Sequence, residues 1–70
     1  DADCRTRLLQ LYGKGLRMEI SDWPRILKKT EGVSASYIRE LLRKAAIYAA
    51  EESDAELIVK DRHMIDAIDD

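Results

Sequence analysis

The sequence predicts an all-α domain of four helices joined by short loops, with no sheet. Three observations lead there. Apolar residues recur at three-and-four spacing in four separate stretches. Gly, Ser, Asp and Pro punctuate the chain between those stretches. The alternating segment Leu16, Met18, Ile20, with Arg17 and Glu19 between, is too short to claim as a strand and reads as an extended loop docked on the core.

The first helix covers residues 3–12, with Asp3 as a candidate cap. Leu8, Leu11 and Tyr12 share one face, with Leu9 beside them. Gly13 and Gly15 end it, because glycine tolerates the backbone conformations of a helix exit. Ser21 or Asp22 caps a second helix that runs to about Thr30. Pro24 is tolerated in its first turn, where N–H groups have no helical acceptor. Trp23, Ile26 and Leu27 form its apolar side, while Lys28, Lys29 and Glu31 face solvent. Gly32 marks the break. The third and longest helix starts at Ser34 and runs to about Ser53. Its stripe is Ile38, Leu41, Leu42, Ala45 and Ala49, with Tyr37 and Tyr48 at the edges. The fourth begins near Asp61, its expected cap, with Leu57, Ile58 and Val59 stapling across its start. Met64, Ile65 and Ile68 lie on one side. The expected shared core is Leu8, Leu11, Ile26, Leu27, Ile38, Leu41, Leu42, Ala45, Ile65 and Ile68.

Seventy residues make one domain with a marginal core, because so short a chain buries only about 60% of its extended surface. The first residue is Asp, so the chain is expected to be a fragment of something longer. One cysteine, Cys4, allows no internal disulfide, which fits a reducing, cytoplasmic setting. No apolar run reaches the roughly 20 residues that a membrane-spanning helix needs. Charge is segregated. Residues 1–44 carry ten Lys/Arg against six Asp/Glu, a balance of +4; residues 45–70 carry two against eight, a balance of -6. Either these are ordinary solvated faces or the basic half meets an anionic partner. Nucleic acid is disfavoured, because the total charge is -2 and no basic run reaches five residues.

Catalytic patterns are not apparent. His63 has Asp61 and Asp66 near it in sequence, but a lone His on a short terminal helix is expected at the surface or rim. A metal site needs three or four ligands at fixed spacing, and Cys4 lies at the far end of the chain. Glu51, Glu52, Asp54 and Glu56 read as a solvated helix end rather than paired catalytic acids. Ser34 and Ser36 have no His/Asp arrangement nearby. The isolated chain is therefore not expected to be an enzyme.

Three stretches in order carry a family resemblance: Arg5–Leu9, then Thr30-Glu31-Gly32-Val33-Ser34-Ala35-Ser36-Tyr37-Ile38, then Val59-Lys60-Asp61-Arg62-His63-Met64-Ile65-Asp66-Ala67-Ile68. Together they resemble the small helical lid domain of AAA+ ATPases, closest to the classical AAA branch. Lids of that family open with an Arg-x-x-Ile/Leu-Leu helix. They run Thr-x-Gly-Phe-Ser-Gly-Ala-Asp-Ile/Leu into the third helix and finish with Ile-Thr-x-x-Asp/His-Phe-x-x-Ala-Leu. The resemblance covers nearly the whole chain. It implies that the first turn of the third helix lies against the adenine and ribose of ATP, so that Gly32, Ala35 and Ser36 are nucleotide-proximal in the full-length protein. Tyr12 matches a His that the family places near the nucleotide; its ring either flanks the base or completes the core. The resemblance further implies ATP and Mg bound by a large nucleotide-binding domain of the same chain. It also implies neighbouring subunits of a homo-oligomeric ring as partners, and ATPase activity in the parent protein. No cofactor is expected for the fragment alone. Three departures stand out: Ala35 replaces the usual Gly, Ser36 the usual Ala, and Tyr37 an acidic residue. The phosphate-sensing Arg of other AAA+ branches has no counterpart at Ala35 or Ser36; Arg39 lies one turn further on. The main alternative is a free-standing helical protein-interaction module. A small DNA-binding domain ranks third, since the third helix carries only Arg39, Arg43 and Lys44 as basic residues.

Overall fold

The computed structural model describes residues 2–53 and 56–70. Its elements, in order, are α1 (Ala2–Tyr12), β1 (Arg17–Glu19), α2 (Trp23–Lys29), α3 (Ala35–Glu52), β2 (Ile58–Lys60) and α4 (Asp61–Asp69). The four helices stand where the apolar spacing puts them. The expectation of no sheet is overturned: β1 and β2 pair in parallel, with Arg17 opposite Ile58, Met18 opposite Val59 and Glu19 opposite Lys60. The alternating segment around Met18 is thus a strand and not a loop. Each strand has three residues, and its partner lies across α2 and α3. A parallel pair needs such a crossover, so no local pattern announces it.

The core forms around α3. Ile38, Leu41, Leu42, Ala45 and Ala49 are buried along its inner stripe, with Leu9, Ile26, Val59, Met64 and Ala67 against them. Leu8, Leu27, Ile65 and Ile68 are half-buried at the margin. Leu11 departs from its expected place: it is 62% exposed, and Leu9 fills the core instead. Both leucines obey a three-and-four spacing with their neighbours. They stand about 200° apart around the helix at 3.6 residues per turn, so only one can face α3.

The exit of α1 is closely packed. Gly13 is buried, its N–H donates to the Leu9 carbonyl at 2.9 Å, and a Cβ there would lie 2.7 Å from both the Leu9 carbonyl oxygen and the Met18 sulfur. This glycine is required by space, where sequence reading assigns it to conformational freedom. Asp22 caps α2 by accepting from the Arg25 N–H at 3.2 Å. At the other end the buried Thr30 hydroxyl donates to the carbonyls of Ile26 and Leu27, at 3.0 and 3.1 Å. Ser34 caps α3, its oxygen accepting from the Tyr37 N–H at 3.1 Å.

Asp61 departs from its expected role as cap of α4. It is the first helical residue, and Lys60 holds the cap position. Its carboxylate reaches across to the β1–α2 junction. One oxygen accepts from the Ser21 N–H at 2.7 Å and the Ser21 hydroxyl at 3.2 Å; the other accepts from the Asp22 N–H at 2.9 Å. These donors, the Ser21 N–H foremost, hold the Asp61 carboxyl below its ordinary value.

Three substitutions test this packing in denaturant titration. Leu41→Ala is expected to lose about 2–5 kcal/mol of stability, because a cavity remains at a fully packed site, whereas Leu11→Ala stays within about 0.5 kcal/mol. A Leu41→Ala loss below about 0.5 kcal/mol would remove it from the core. Asp61→Ala is expected to cost about 1 kcal/mol near neutral pH. The depressed Asp61 value fixes the sign of its pH dependence. The wild-type advantage is full above the ordinary carboxylate value of 3.8 and disappears as pH falls through the lower folded value; an advantage that grew in acid would contradict the clamp.

Candidate functional site

The residues matched to a nucleotide-proximal role fall on two neighbouring elements. Gly32 sits in the turn after α2 with φ of 77°, a left-handed conformation that suits glycine. Two residues later the Ser34 cap opens α3, and Ala35 and Ser36 occupy its exposed first turn. The Ser34 oxygen takes the Tyr37 N–H, while the N–H groups of Ala35 and Ser36, at small and exposed residues, precede the first possible acceptor within the helix. Tyr12 comes from the end of α1. It is half-buried, and the Arg39 guanidinium lies over its ring, 5.3 Å from the centroid, within cation–π range. Arg39 stands four residues after Ala35, on the same stripe of α3. Tyr12 therefore meets α3 one turn beyond Ala35.

Beside this contact runs an open groove of about 510 Å³ between the end of α1, the following loop and α3. Tyr12, Leu16 and Ile47 supply apolar walls, with Lys14, Arg39 and Arg43 as cations. Glu40 also lines it and is bonded to Arg43. That bond, the Arg43 hydrogen bond first and its charge second, holds the Glu40 carboxyl below its ordinary value. Ala35 and Ser36 lie outside the groove lining. Sequence reading noted Arg39 without a role and did not find the groove. The signal present was the basic spacing of Arg39 and Arg43 on one face of α3.

His63 contradicts its expected surface position: it is 3% exposed. Its Nδ1 accepts from the Lys60 N–H at 2.9 Å, satisfying a donor at the start of α4, and its Nε2 stands 2.7 Å from Glu52. With Nδ1 accepting, the proton resides on Nε2 and points at the carboxylate. Both ring nitrogens are thus committed within the fold, and neither offers a lone pair to a substrate. Glu52 also accepts from Arg62. It is not a free solvated carboxylate but the joint between α3 and α4; Asp54, grouped with it by sequence, lies outside the described residues. The Arg62 hydrogen bond first, and His63 second, lower the Glu52 carboxyl from 4.5 to about 2. A hollow of about 210 Å³ beside this cluster is lined by Ala49, Ile58 and Lys60 among others. Among the described residues, no three His, Cys, Asp or Glu side chains converge to hold a metal, and no helix is long and apolar enough to cross a membrane.

Glu52→Gln is expected to lower the melting temperature at neutral pH. The folded carboxyl value is depressed, so its contribution is complete above 4.5 and lost as pH falls toward about 2. Thermal melts of the two proteins should converge across that window. Melts that stay parallel down to the acid end would mean that the Glu52 charge does not hold α4.

A scan against protein-family models finds no match to this chain, and a search of curated proteins returns no matching relative.

Proposed function

We propose that this chain is the small lid domain of an AAA+ ATPase, built of four helices and a two-stranded parallel ribbon. The observation that most supports this reading is the pairing of two features. One is the Gly32–Ser34 turn leading into the small, exposed Ala35 and Ser36. The other is Tyr12, which meets α3 one turn further on through Arg39. On this reading the lid covers the adenosine part of ATP, while the triphosphate and Mg belong to the large domain of the same chain. Small first-turn residues let the helix backbone approach the base, and the positive end of α3 favours an anionic ligand nearby. The packed core makes the lid a rigid body. Exchange of ATP for ADP then rotates it against the large domain and the next subunit of a cytoplasmic, homo-oligomeric ring. Hydrolysis is a property of the whole ATPase.

In the full-length protein, Ala35→Glu adds bulk and negative charge where the backbone meets the base. It leaves the lid folded, because an acidic residue suits a helix N-terminus. Titration with a fluorescent ATP analogue is expected to show affinity weakened severalfold in a variant whose lid melts like wild type. Equal affinities with unaltered melting would favour a free-standing protein-interaction module, a reading to which the basic groove lends its own support. The isolated 70-residue chain is expected to release no phosphate from ATP; activity that follows the chain through successive columns would overturn that expectation.

A further inference from the structure

We infer that the groove between α1 and α3 is a docking site for an acidic amphipathic helix of a partner protein. Its floor is apolar: Leu42 is buried and Ala46 half-buried, one turn apart on α3. The small Ala46 lets a third helix approach to the 8–10 Å typical of packed helices. Ile47 stands at the wall, 45% exposed. An exposed isoleucine beside an apolar floor is a ready contact for a leucine-sized anchor.

The charge around that floor selects the occupant. Among the described residues, Lys14, Arg39 and Arg43 line the groove against a single acid, Glu40. Glu40 is already engaged by Arg43, and Arg39 lies over Tyr12, so the lining keeps an excess of positive charge at its rim. A helix with apolar residues at i, i+3, i+4 and i+7 would fill the floor. Carboxylates on its flanks would meet the cations as charge-assisted pairs. A nucleic-acid backbone fits less well: three cations and an intervening carboxylate make no phosphate-tracking stripe, and the chain as a whole is acidic. The inference does not depend on the ATPase reading, since the groove, its floor and its charges belong to the lone chain.

The test uses the 70-residue chain and a fluorescein-labelled synthetic helix with Leu at i, i+3, i+4 and i+7 and Glu at most other positions. Anisotropy is expected to rise on titration, with affinity falling as salt increases. Ile47→Glu, at an exposed position, is expected to weaken binding at least tenfold, about 1.4 kcal/mol, with helical circular dichroism unchanged. Should that variant melt early, Lys14→Glu in the loop carries the same expectation without touching a helix. The inference is overturned by any of four results. One is no binding. Another is equal binding of a peptide of the same composition with its leucines scattered. The third is equal affinity of the folded variants and wild type. The last is tighter capture of an oligothymidine strand or of phosphatidylserine vesicles than of the peptide.

Discussion

The buried stripe of α3 is the constraint on which everything else depends. Ile38, Leu41, Leu42, Ala45 and Ala49 form the surface to which the other elements fit. Among the described residues, that one stripe supplies half of the buried apolar side chains. Helix α1 covers one side through Leu9, while α4 covers another through Met64 and Ala67. The alanines matter as much as the leucines, because they allow the neighbouring helices to come close. The stripe also fixes what remains outside: burying it turns Ile47 and the Arg39–Arg43 edge outward and presents the groove.

Apolar packing alone gives a short chain little margin, and two polar fasteners add direction to it. Asp61 joins α4 to the entrance of α2, and Glu52 with His63 and Arg62 joins the end of α3 to α4. Each bonds backbone or side-chain donors at a helix end, where donors would otherwise turn to water. Together they tie the first turn of α4 to the entrance of α2 and the end of α3. Solvent screens the exposed ion pairs, Arg17–Glu19 and the Arg62 arm of the second fastener alike, so the contact of Glu52 with the buried His63 is what sets that fastener apart.

Most of the helical fold was legible in the sequence because helix signals are local. Ser34, Asp22 and the stripe of α3 each act within a few residues of themselves. The failures share the opposite property. Leu9 and Leu11 are equivalent until α3 chooses one of them. Met18 and Val59 are unremarkable until a partner across two helices gives them a strand. His63 is an ordinary helical histidine until its position at the third residue of α4 makes its ring the acceptor for the Lys60 N–H. Among the candidate site residues, sequence put Gly32 in the break before the third helix and Ala35 and Ser36 in its first turn, where they lie. It left the role of Tyr12 open, and only the tertiary contact with Arg39 relates that residue to α3.

The parallel ribbon has a topological consequence. Ser21 and Asp61, just beyond its two strands, are separated by 40 positions in the chain, and the pairing closes a loop that contains both α2 and α3. Closing so long a loop carries an entropic cost that short-range contacts do not. Helices draw on contacts with near neighbours in the chain, whereas the ribbon draws on residues about 40 positions apart. It therefore acts as a seal on the finished fold, joining the first third of the chain to the last.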